Sequence, residues 1–180
     1  MPDMKATDVL AIRQLVRERG AEVEQAFLAR LSAEIQDQYR LWVATEWIPL
    51  ATAAEILRAG TDALYPHGAR GLRQLGEAVA QVTFNGIYRA FLKTPTPAFF
   101  TKRFVAAWHA LYNRGIPAVE NVAAQRADLL VKQFPELSPL EREYLCGYWA
   151  GIFKLAGAQN VMVLHEDHYP MEWRWTVRWE

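Results

Sequence analysis

Apolar residues recur every three to four positions through the first two thirds of the chain, the spacing of one buried helix face. Val9, Ile12 and Val16 share a face behind Asp8, a capping residue type, and that segment stops at Gly20. The beat resumes at Ala21 and runs through Val23, Phe27 and Leu31 to about Gln38. Tyr39, Leu41, Trp42 and Val43 crowd too closely for one face and predict a buried turn or short helix. Pro49 suits a first helical turn; Leu50, Ala53, Leu57 and Leu64 follow it until Tyr65-Pro66-His67-Gly68 supplies both breakers. The longest helix candidate covers residues 69–92, with Leu72, Leu75, Val79 and Val82 on a stripe widened by Phe84, Ile87 and Phe91. Gly71, Gly76 and Gly86 each cost it about 1 kcal/mol of helix propensity, tolerable where another helix or backbone lies close against them. Residues 94–97, with two prolines, read as a kinked helix junction. Phe100, Phe104, Ala107 and Leu111 then mark a last helical face before Asn113-Arg114-Gly115.

Beyond Gly115 the period changes. Residues 119–124 and 129–133 suggest two short strands, although the alternation is poor and the turn between them holds no glycine. Ser138 and Glu141 form a capping box with Pro139 at the first helical position, opening a helix through Leu140, Tyr144, Tyr148, Ile152 and Leu155 to Gly157. Gly147 and Gly151, one turn apart, leave a smooth stripe that predicts this helix resting directly on a sheet. Residues 161–164 read as a buried strand and 167–171 as a turn. From Glu172 the chain alternates strictly: Trp173, Trp175, Val177 and Trp179 take one face, and Glu172, Arg174, Thr176, Arg178 and Glu180 the other. The pattern predicts an α+β fold of one domain, residues 1–180. A mainly helical half (1–115) precedes a β-β-α-β-β half (116–180) with a four-stranded antiparallel sheet.

Charge narrows the function classes. Twenty Lys+Arg balance 20 Asp+Glu among 180 residues, so the basic excess that neutralises phosphates is missing and no nucleic-acid partner is expected. No apolar run reaches the about 18–20 residues of a membrane span, and Met1–Lys5 carries no apolar signal core. The expectation is a cytoplasmic protein without membrane insertion. Cys146 stands alone and fits a reducing compartment. Of the seven tryptophans, three fall in the last eight residues, and these mark the inner side of the sheet.

The order of elements is also similar to a known family. Tyr144-Leu145-Cys146-Gly147-Tyr148-Trp149-Ala150-Gly151, then Gly157-Ala158-Gln159-Asn160-Val161-Met162-Val163, then the strand from Trp173 to Trp179, resemble the C-terminal half of the four-vinyl-reductase-type domain. That fold is shared by the haem-nitric-oxide-binding domain and by small subunits of the TRAPP vesicle-tethering complex. The helical part, with Glu46-Trp47-Ile48-Pro49, Leu64-Tyr65-Pro66 and Leu72 to Gly76, looks like an uncharacterised bacterial family of similar length. The resemblance spans about residues 20–180. It implies a small-molecule or lipid pocket between helices and sheet, often in a dimer.

The candidate residues follow from these two sources. Apolar faces nominate Phe84, Tyr88, Phe104, Trp108, Tyr112 and Tyr148 as the lining of a site for a small apolar molecule. His109 lies roughly where the haem-binding relatives place their proximal histidine, so the resemblance implies a haem reading. The Tyr-x-Ser-x-Arg motif of those relatives is absent from the matching stretch, Leu130-Val131-Lys132-Gln133-Phe134-Pro135. His165, Glu166 and His168 are the metal candidates, suited to zinc, with a polar hairpin tip as the competing reading. Cys146 reads as a small buried thiol, and no nucleophile elbow, phosphate loop or supported Cys/His pairing asks for catalysis. The sequence therefore predicts a non-enzymatic ligand-binding or sensory domain acting through a signalling partner protein. The alternatives are a homodimeric scaffold using an exposed apolar stripe on residues 69–92, and a haem-based gas sensor.

Overall fold

Helical periodicity becomes helix almost throughout the first part of the chain. The computed structural model describes residues 1–85, 96–166 and 171–180. Strand β1 (Asp3–Lys5) leads into α1 (Thr7–Glu18), α2 (Ala21–Leu28) and α3 (Ala33–Tyr39). Strand β2 (Trp47–Pro49) pairs antiparallel with β1, Met4 opposite Ile48, and opens α4 (Leu50–Leu64) and then α5 (Gly68–Asn85). After α6 (Pro97–Leu111) come β3 (Ile116–Ala123), β4 (Arg126–Lys132), α7 (Pro139–Leu155), β5 (Met162–Glu166) and β6 (Glu172–Arg178). The second sheet is antiparallel with strand order β3-β4-β6-β5. The expected α+β class and the four-stranded antiparallel sheet are what the chain forms.

Several local expectations change, each for a physical reason. Asp8 is not a cap: α1 begins at Thr7 behind Ala6, and the Asp8 side chain turns into the core. The continuous helix expected over 21–38 is broken, because Ser32 adopts an extended ψ of 151° and its N–H is held by Glu55 Oε1 of α4 at 2.6 Å. In the crowded stretch after it, Tyr39 is buried but Leu41 and Val43 are exposed. The β1–β2 pair escapes the sequence because three-residue strands carry no usable alternation. The weakly patterned hairpin is real. Its register shifts between Glu120 and Ala123, where Asn121 takes a φ of 48°, so the alternation is interrupted by a bulge. Thr96 caps α6 through Phe99 N, with Pro97 in the first turn.

The largest revision concerns the glycines of α7. The smooth stripe of Gly147 and Gly151 does not rest on the sheet; it rests on α5. A Cβ on Gly147 would overlap the Arg73 carbonyl oxygen, and one on Gly76 would overlap the Tyr144 carbonyl oxygen, so two backbones meet with nothing between them. Gly151 continues the contact beside Ala80 and Glu77. The sheet takes a different face of α7. Trp175 Nε1 donates to the Arg142 carbonyl at 3.2 Å, the Arg142 guanidinium lies 3.9 Å over the Trp173 ring, and Trp179 packs on Phe153. The alternating terminal strand thus lays its tryptophans on α7 as the sequence suggests. On the other face Arg174 bridges Asp128, Glu120 and Glu172.

Because α5 is pressed between α7, α1 and α4, its apolar residues Leu75, Val79, Ala80 and Phe84 are buried, and its exposed positions among the described residues are Gly68, Ala69, Arg70, Gln74 and Gln81. The described part of residues 69–92 therefore presents no exposed apolar stripe for a dimeric scaffold. Gly147→Ala is expected to lower stability by about 3 kcal/mol in urea unfolding, the upper end of ordinary overpacking costs. A change below about 0.5 kcal/mol, typical of a surface substitution, would show that the two backbones separate without penalty.

Candidate functional site

Three features of the interior can carry chemistry: a buried polar centre, an apolar groove, and a cluster of ligand-type side chains beside β5. The polar centre joins α1 to α7. Tyr144 donates its hydroxyl to Asp8 Oδ2 at 2.9 Å, with both residues buried. Asp8 Oδ1 and the Tyr112 hydroxyl are buried without a hydrogen-bond partner. Removal from water raises the Asp8 carboxyl to about 7, although the Tyr144 hydrogen bond pulls the other way. Burial likewise lifts the Tyr112 and Tyr144 phenols well above their ordinary range, with the Asp8 charge adding to each.

Around that centre the space between α6, α7 and the sheet is filled by rings. Trp108 stacks on Tyr112 at 4.4 Å between centroids, meets Phe134 edge-on at 6.2 Å and lies 6.4 Å from Trp175. Its indole N–H is satisfied by the Arg114 carbonyl at 2.8 Å. Phe104 packs against Trp108 and Trp149. Phe104, Trp108 and Tyr112, expected to line a ligand site, are therefore core: apolar faces find buried positions but do not separate lining from packing.

The apolar space lies instead between α5, α6 and α7. A groove of about 230 Å³ is lined by Phe84, Phe99 and Phe100, by Ala106, Ala107 and Ala110, and by Arg103, Leu111 and Tyr148. Phe84 and Tyr148 are the two expected lining residues that it contains, and Tyr88 lies outside the described residues. The alanines of α6 were missed as lining. Their signal was available, since small residues at 106, 107 and 110 make a hollow on a helix otherwise crowded with Phe and Trp. Arg103 lies 5.1 Å over the Phe99 ring and is the one charged side chain among the described residues of the groove.

The histidines fall elsewhere. His109 is exposed, one residue and about 100° of helix past the buried Trp108. Glu166 is exposed at the end of β5, and His168 lies outside the described residues. His165 turns inward from β5 and meets Cys146 and Glu143 of α7 rather than the expected Glu166. The sequence offered no spacing for that convergence, because 19 residues and a reversal of direction separate Cys146 from His165.

No family model matches the chain, and no curated protein does. Solved structures do. The Fe(II) unliganded H-NOX protein from K. algicida superposes with a TM-score of 0.70, covering 98% of this chain and 97% of its own at 12% identity. An oxygen-binding H-NOX domain related to soluble guanylate cyclases, in its oxygen complex, gives 0.66 over 97% and 92%, also at 12% identity. This chain has the H-NOX fold. A third match, with a TM-score of 0.67 over 97% and 92% at 11% identity, is described by the modulation of haem redox potential through protein-induced porphyrin distortion.

The H-NOX fold raises haem directly, and the described residues do not fit a haem held through α6. Haem iron needs an axial ligand such as His, Cys, Met or Tyr. The inward positions of α6 are Thr101, Phe104, Trp108 and Leu111, while His109 faces solvent. The stacked Trp108 and Tyr112 rings, with Phe134 and Trp175 against Trp108, leave no slot for a macrocycle between α6 and the sheet.

Asp8 supplies a measurable consequence of this packed centre. Its folded pKa lies above its unfolded value, so the folded state binds the proton more tightly and stability is lost as pH rises from about 4 to 7. A shift from 3.8 to about 7 corresponds to about 4 kcal/mol at about 1.36 kcal/mol per unit. Asp8→Asn should remove that slope and gain most of its stability relative to the parent at pH 8 and little at pH 4. Parallel urea titrations of the two proteins at both pH values read the difference.

Proposed function

We propose that this chain is a non-enzymatic ligand-binding sensor domain built on the H-NOX fold. It takes a small apolar molecule into the groove between α5, α6 and α7 and acts through a partner protein. The observation that carries this reading is the groove itself: three Phe rings, three Ala methyls, Leu111 and Tyr148 face one space beside a core otherwise closed by stacked rings. Its volume of about 230 Å³ lies just under the about 300–1,000 Å³ of ordinary ligand sites, which suits a small occupant. The site lies between helices, not between helices and sheet.

The matched structures favour a second reading, a haem-based gas sensor, because those proteins are haem proteins by description. Against it stand the outward His109 and the filled space beside Trp108. One preparation distinguishes the two. Native mass spectrometry of the purified chain should show a retained small apolar molecule, lost in Ala107→Phe, and haem reconstitution should give no Soret band. A stoichiometric Soret band that disappears in His109→Ala would instead establish the haem reading. An empty chain that binds neither would remove both.

A further inference from the structure

Glu143, Cys146 and His165 bring an oxygen, a sulfur and a nitrogen to one point at the junction of α5, α7 and β5. The ligand atoms all lie within 4.8 Å of one another. Cys146 Sγ is 3.5 Å from His165 Nδ1, and the same Nδ1 is 3.4 Å from Glu143 Oε1. Zinc bonds of about 2.3 Å to sulfur and about 2.0–2.2 Å to nitrogen and oxygen, at tetrahedral angles, set S···N near about 3.6 Å and N···O near about 3.4 Å. Both observed separations match the edges of that tetrahedron.

At His165 Nδ1, hydrogen bonding alone serves this arrangement poorly. One imidazole nitrogen carries at most one hydrogen. Nδ1 therefore either shares that hydrogen between a carboxylate and a thiol or turns its lone pair toward an anion. A cation at the centre satisfies all three donors together. The surroundings hold them ready: Arg73 Nε binds Glu143 Oε2 at 2.7 Å, leaving Oε1 toward the cluster, and Arg73 Nη1 binds the Val163 carbonyl at 3.2 Å. A hydrogen-bonded carboxylate of this kind is the usual outer support of a ligating one. Glu143 and Cys146 lie three apart on α7, hence on one helix face. His165 shares the inward face of β5 with Val163.

We infer that Glu143, Cys146 and His165 form a zinc site with three protein ligands. Binding displaces the Cys146 thiol proton to solvent and forms the zinc–thiolate bond. A fourth position is left for water from the adjoining groove of about 510 Å³, whose lining includes Cys146, Arg70 and Arg73. This site lies apart from the apolar groove of α6 and does not depend on what that groove binds.

Cobalt tests the inference, because Co²⁺ takes zinc sites and reports both thiolate ligation and geometry by absorption. The chelator-stripped full chain should bind one equivalent of Co²⁺ with tetrahedral visible bands and a thiolate charge-transfer band, both bleached by one equivalent of Zn²⁺. Cys146→Ser should lose the charge-transfer band. His165→Asn, a substitution at a half-buried position, should weaken binding at least tenfold, whereas Glu166→Gln should behave as the parent. Circular dichroism confirms that each variant is folded; should Cys146→Ser not fold, His165→Asn and the Zn²⁺-dependent rise in melting temperature decide. Absence of saturable binding, a charge-transfer band surviving in Cys146→Ser, or binding indifferent to His165→Asn would each overturn the assignment.

Discussion

The crossing of α5 and α7 at Gly76 and Gly147 sets where everything else in the molecule stands. Where no Cβ intervenes, the two backbones approach until carbonyl oxygens occupy the space that side chains would need. That contact fixes the rotation of α7 about its axis. Tyr144 and Tyr148, four apart, then share the side that faces α1 and the α6 groove, while Cys146, about 200° of helix from Tyr144, turns toward β5. With glycine occupying the face toward α5, and Arg142 and Phe153 meeting the tryptophans of β6 and Trp179 just past it, one helix serves the polar centre and the apolar groove from one side and the ligand cluster from another.

The interior beside that helix is held by rings and by one costly carboxyl. Burying a carboxylate with a single hydrogen bond is unfavourable, and burial accordingly raises the Asp8 carboxyl to about 7, so that the neutral acid prevails below that pH. The neighbouring phenols are compatible with that state, since a protonated carboxyl can donate as well as accept. The same packing explains why α6 turns no histidine into the interior. A one-residue offset turns a helix position by about 100°, so placing Trp108 inward places His109 outward. The inward indole then fills the space with its own ring and satisfies its N–H on Arg114.

Much of this was legible in the chain because periodicity reports burial. The hairpin after Gly115, the capping box at Ser138 and the tryptophan face of the last strand all survive in three dimensions. So does the suspicion of a close neighbour for Gly71 and Gly76 of the long helix, while Gly86 lies outside the described residues. What periodicity cannot report is which neighbour. Gly147 and Gly151 signalled a close approach, but a smooth stripe accepts a sheet or a helix equally, and only the fold assigns it to α5. The lining of the groove was half legible for a related reason. On α6, Phe, Val, Ala and Trp occur nearly all round the helix, so the apolar pattern does not say which residues pack and which leave a hollow.

The ligand cluster was the least legible feature, and the reason is geometric. Among His165, Glu166 and His168, sequence proximity suggested a local site, yet neighbours on a strand point to opposite faces. His165 faces α7 with Val163, and Glu166 faces outward. The partners that reach His165 come from a helix that ends ten residues before it, and only their i, i+3 spacing could have marked them as a pair. A strand histidine meets a helical Glu-x-x-Cys only if that helix is rotated so that 143 and 146 face the strand. Here the glycine contact with α5 imposes that rotation, so the backbone crossing that organises the core also assembles the cluster at its edge.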